Sequence, residues 1–143
     1  MSTITPHNAL IYAMVIAAVA DGKLKESEVA AIEVAVRHLP IFQDYSLDAM
    51  RVATGDCVAL LDEDDGIDAA LGLVKEALPP DWRETAYALA CDIVAVDGHG
   101  RQEELRWLEM LRHEIGVERL HAAAIERGAR ARYKRAAALV PAE

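Results

Sequence analysis

Sliding the sequence by 76 positions lays AVADGKLKESEVAAIE (18–33) over VAVDGHGRQEELRWLE (94–109). Asp21 falls on Asp97, Gly22 on Gly98, Glu28 on Glu104 and Glu33 on Glu109, while Val29 meets Leu105 and Ile32 meets Leu108. A chain that repeats itself at this spacing reads as two related units packed together. Each copy has the same anatomy: an apolar helix ends at an Asp, a Gly follows where the backbone needs a left-handed turn, and a second helix starts four residues on.

The remaining punctuation is helical throughout. Apolar residues recur at helical spacing, and the composition agrees: 53% of residues are hydrophobic but only 5% aromatic, a balance that favours packed helices over sheets. The breaks predict helices at about Pro6–Ala20, Glu26–His38, from a Ser46 cap to Leu61, Ile67–Ala77, to about Val96 after Pro79-Pro80, Arg101–Glu114 and Val117 to about Ala137. Asp81-Trp82-Arg83-Glu84 reads as a capping box opening the fifth helix. Gly116 suits a helix C-terminus, and Gly128 a kink or break. The expected fold is all-α, a compact bundle of about seven helices. It forms one domain over 6–137 with halves 6–78 and 80–137, and a flexible tail over 138–143.

Several classes are disfavoured. With a net charge of −9 the chain is poorly suited to binding phosphate backbones, so no nucleic acid is expected as a partner. Cys57 and Cys91 sit among apolar residues without a CxxC, which predicts buried, reduced thiols. No N-terminal signal is visible, and the apolar run 9–20 is too short to span a bilayer, so a cytoplasmic location without membrane insertion is expected. No nucleophile–base arrangement, HExxH or Gly-rich phosphate loop is present, and the chain is read as non-catalytic. Of the five His, His7, His38, His113 and His121 read as surface or boundary residues, and His99 is the only imidazole in either Asp-Gly loop. Trp82 and Trp107 read as helix-packing residues. RGARARYKR carries Arg127, Arg130, Arg132, Lys134 and Arg135 without an acid. It is either a solvated last helix packed near acidic surface or a docking tail for an acidic partner.

The chemistry of interest lies in the two Asp-Gly loops. Glu28 and Glu104 fall in first helical turns, where the dipole favours them by roughly 0.3–1 kcal/mol, whereas Asp21 and Asp97 face the unfavourable end of a helix at a similar cost. Asp-Gly is also a turn pair in its own right, so each loop is a helix stop or half of a cation site. With Glu26, Asp92 and Glu103 nearby, the oxygen supply suits calcium or magnesium, not zinc. An EF-hand is excluded, because counting Asp21 as position 1 puts Lys23 and Lys25 at positions 3 and 5 and Ile32 at position 12. DEDDGID (62–68) fails the same count and reads as a solvated acidic loop.

The paired Asp-Gly-x-x-x-x-x-Glu, each copy at an apolar helix end, resembles the TerB-like family, the tellurite-resistance B proteins and the related N-terminal domain of membrane-anchored DnaJ-like co-chaperones. The likeness spans roughly residues 6–137. It implies an all-helical domain of about seven helices and a metal held by Asp21, Glu28, Asp97 and Glu104. It also implies a role in tellurite and stress resistance, with protein partners in a stress-response complex. Leu24 fits the family pattern, whereas Lys25, Gly100 and Arg101 depart from it. The alternative is a metal-independent helical scaffold for protein–protein interaction.

Overall fold

The computed structural model describes residues 3–19, 22–96 and 102–136. Among these residues seven α-helices follow one another: α1 (Pro6–Ala18), α2 (Glu26–His38), α3 (Leu47–Leu61), α4 (Gly66–Ala77), α5 (Arg83–Val96), α6 (Gln102–Ile115) and α7 (Arg119–Arg132). Among the described residues there is no strand, and the all-α expectation holds. No helix among them is long and apolar enough to cross a membrane.

α1 is the axis of the fold. Thr5 caps it by accepting the Asn8 N–H on its hydroxyl at 3.1 Å, and Pro6 occupies the first turn, where a missing N–H costs nothing. Every residue from Ala9 to Ala18 is buried, and a helix apolar all round needs neighbours all round. α5 packs along it most extensively, and α2, α3, α4 and α6 complete the shell. α7 packs on α5. The 76-residue shift lays α1 over α5 and α2 over α6. The contacts cross correspondingly: α2 lies against α5, and α6 against α1.

The other helices present stripes. α2 buries Glu28, Ile32 and Val36, which stand four apart and so share one face. It stops at His38 because Leu39, preceding Pro40, is extended (ψ 138°). The IFQDYS connector is more ordered than a plain loop. Pro40–Phe42 forms a 3₁₀ turn, and Phe42, Tyr45 and Trp82 gather round His7, whose ring stacks on Tyr45 at 5.2 Å. His7 Nε2 donates to the Ile41 carbonyl at 2.8 Å, and the Tyr45 hydroxyl donates to Asn8 Oδ1 at 2.7 Å. Together these bonds fasten the start of α1 to the connector.

Ser46 caps α3 as expected, its hydroxyl accepting the Ala49 N–H at 3.0 Å. Gly116, at φ +74°, closes α6 with paired bonds from Val117 N–H to Arg112 O and from Gly116 N–H to His113 O, the Schellman arrangement. Three expectations are corrected. The Asp81–Glu84 capping box does not form: Pro80–Trp82 makes a 3₁₀ turn that runs straight into α5, with Trp82 N–H bonded to Pro79 O. Gly128 does not break α7, which continues through it to Arg132. That helix also ends earlier than about Ala137, because Tyr133 is its cap.

Candidate functional site

The first Asp-Gly loop closes through a bond from Gly22 N–H to Val19 O at 2.8 Å, with Gly22 at φ +113°. That φ is open only to glycine at low cost. Leu24 packs half-buried against the core, and Lys25 takes the extended N-cap conformation of α2. A lysine side chain has no acceptor to offer, so the cap is made from the other direction: Glu28 Oε1 accepts the Lys25 N–H at 2.8 Å. Glu28 is only 3% exposed and is the one buried charged residue among those described.

Burying a carboxylate is costly unless it is hydrogen-bonded or paired with positive charge. Sequence reasoning placed Glu28 in a first turn near the helix dipole. The structure adds that it heads the core-facing stripe of α2, directly after the Asp-Gly turn. Asp21, Asp97 and the side chain of Glu104 lie outside the described residues, as do His99, Gly100, Arg101 and the side chain of Glu103. Two of the additional oxygen donors fall among the described residues. Glu26 is exposed on the first turn of α2, and Asp92 Oδ1 accepts from Arg132 Nη2 at 2.5 Å, tying α5 to α7. Among the described residues no three His, Cys, Asp or Glu side chains cluster as metal ligands. The donor type at Glu28, a hard carboxylate oxygen, fits calcium or magnesium.

The acidic loop between α3 and α4 is solvent-exposed from Asp62 to Asp65, as expected. The basic segment is partly committed to internal contacts: besides the Arg132–Asp92 pair, Arg135 Nη2 donates to Val96 O at 3.3 Å. Both cysteines are buried and free, and burial pushes each thiol up to about 12.

A second feature has no counterpart in the sequence reading. α5, α6 and α7 enclose a groove of about 610 Å³ lined by Val94, Leu105, Leu108, Ala129, Arg130 and Lys134, among others. In its floor the Tyr87 hydroxyl donates to Glu126 Oε2 at 2.5 Å. Burial first, then this bond to a carboxylate, raises the Tyr87 hydroxyl pKa, so the floor is neutral in that group.

No family model matches the chain, and neither a curated protein nor a solved structure matches it. What fold and site together define is an all-α helical domain with a buried carboxylate at the first of two matched loops.

Proposed function

We propose that the chain is a non-catalytic, cytoplasmic binding domain of the TerB-like kind, in which the two Asp-Gly…Glu loops jointly hold a divalent cation, calcium or magnesium. Asp21 and Glu28 serve from the first loop, Asp97 and Glu104 from the second. The burial of Glu28 carries this reading: a carboxylate placed on the core face of α2 beside an Asp-Gly turn is an arrangement that a cation stabilises and that helix capping alone does not require. The crossed packing of the two helix pairs supports a joint site, since α2 and α6 each lie against the first helix of the other pair. The role in tellurite and stress resistance, through protein partners, rests on the resemblance carried by the two motifs.

One observation favours a second reading, a metal-independent interaction scaffold. Glu28 Oε1 already accepts the Lys25 N–H, so the carboxylate has a protein partner without an ion. Thermal unfolding of metal-stripped protein against calcium concentration separates the two readings. A ligand at one hundred times its dissociation constant stabilises the native state by about 2.7 kcal/mol, a rise of roughly 8–10 °C for a chain of this size. A melting temperature that climbs with calcium or magnesium, and does not in Asp21→Asn/Asp97→Asn, supports the cation domain. A flat response in both proteins supports the scaffold.

A further inference from the structure

The groove between α5, α6 and α7 combines two properties that seldom coincide on an acidic protein. Its walls are aliphatic: Val94 from α5, Leu105 and Leu108 from α6, and Ala129 from α7. Leu105, on the lining, is 53% exposed and so leaves an apolar surface open to solvent there. Arg130, Lys134 and Arg135 line it as well.

The charges in the groove are not equivalent. Both of its described acids have partners: Glu126 receives the Tyr87 hydroxyl, and Glu109 receives Arg112 Nη2 at 2.6 Å and Nε at 3.2 Å. Of the cations, Arg135 contacts the Val96 carbonyl. Arg130 and Lys134 are exposed, and neither makes an ion pair or hydrogen bond among the described residues. The described side chains therefore leave two unpaired cations beside an apolar lining in which Glu109 is neutralised by Arg112 and Glu126 stays a carboxylate bonded to the Tyr87 hydroxyl, although the chain as a whole carries −9.

Such a recess selects its ligand by exclusion. A polar body entering between Val94, Leu105, Leu108 and Ala129 would lose its hydrogen bonds to water and gain none from those walls. The part of the ligand held there must be apolar, and the part at the two cations must be anionic. At about 610 Å³ the groove has the size of a small-molecule site rather than of a protein interface. We infer that the α5–α6–α7 groove binds a free acyl chain ending in a carboxylate, its methylenes against Val94, Leu105, Leu108 and Ala129 and its head group on Arg130 and Lys134. This inference is independent of the proposed cation site.

Isothermal titration of the full chain with hexanoate, octanoate and decanoate, below their micelle concentrations and in the presence of a chelator, tests it. One-to-one saturable binding is expected, tightening several-fold with each pair of methylenes. Arg130→Gln/Lys134→Gln, at two exposed positions where helicity is readily checked, should weaken decanoate about tenfold or more. Leu105→Asp, also at an exposed position, should abolish binding. Decanol should bind more weakly than decanoate, and decylamine more weakly still.

No saturable heat, or affinity unchanged in both variants, overturns the inference. So does tighter binding of decylamine, which would make the groove a cation-selective recess. Association with anionic phospholipid vesicles without binding of monomeric decanoate would assign the surface to a bilayer instead. Self-association that Leu105→Asp abolishes, with no decanoate bound, would assign it to a second copy of the chain.

Discussion

Replacing Gly66 by alanine puts the account of the α3–α4 corner at risk in a single atom. A Cβ at Gly66 would stand 2.1 Å from the Leu60 carbonyl oxygen and 2.9 Å from Leu61 Cα, both backbone atoms. Ordinary contact begins near 3.4 Å, so the end of α3 and the start of α4 must part by more than an ångström. Neither side yields freely. Gly66 N–H is bonded to Glu63 O at 3.0 Å, and Ala70, Leu71 and Val74 hold α4 in the core. Overpacking of this kind costs roughly 1–3 kcal/mol, against a gain in helix propensity of at most about 1 kcal/mol. The net expectation is a loss of about 1–2 kcal/mol, a fall in melting temperature of about 3–6 °C. Gly72 provides the control. It lies in the same helix, exposed, with nothing within 4 Å of a new Cβ, so Gly72→Ala should raise stability by about 0.5–1 kcal/mol. Urea unfolding followed by circular dichroism measures both. A Gly66→Ala protein as stable as wild type, or stabilised like Gly72→Ala, would refute the close approach.

Three further outcomes are expected. With both thiols pushed up to about 12 by burial, only about 10⁻⁴ of either is thiolate at pH 8; a thiol reagent such as DTNB should be nearly inert towards native protein and titrate two cysteines after unfolding. Glu109 is held below its ordinary value of 4.5, chiefly by its hydrogen bonds from Arg112, so its contribution to stability is present above pH 4.5 and is lost as pH falls through the lower, folded value. The stability difference between wild type and Glu109→Gln, measured by urea unfolding at pH 7 and pH 3, should therefore shrink at the acid end. Tyr87→Phe removes the donor to Glu126 from a side chain 1% exposed and should cost about 1–2 kcal/mol in the same assay, with helix content unchanged by circular dichroism.

Local grammar carried much of the fold. α2 begins and ends where the first-turn acids and Pro40 put its ends, and Ser46 and Gly116 cap as their chemistry dictates, because each of these signals acts within one turn of the chain. The capping box at Asp81 was a local signal too, but Pro80 starts a 3₁₀ turn one residue earlier, and α5 continues from it. Gly128 weakens a helix without forbidding it, and the packing of α7 on α5, with Ala122 and Ala129 buried, keeps it continuous.

The site was less legible. The stripe Glu28–Ile32–Val36 is written at helical spacing, yet which stripe of α2 faces inward depends on α5 and α3, which lie far along the chain. The groove was invisible for the same reason. Its floor pairs Tyr87 with Glu126, and the neighbouring Asp92–Arg132 pair spans 40 residues, distances over which residue spacing carries no signal. Likewise, RGARARYKR showed its charge but not that Arg132 and Arg135 bend back onto α5 while Arg130 and Lys134 line the groove.

The cation reading is met most directly by isothermal titration of metal-stripped protein with calcium and then magnesium, beside Asp21→Ala/Asp97→Ala and Glu28→Gln variants of verified helicity. The account predicts a saturable heat in the wild type that disappears in the paired Asp variant and weakens in Glu28→Gln. No heat from either ion in the wild type would contradict it, and would leave Glu28 as a buried helix cap in a domain that binds without metal.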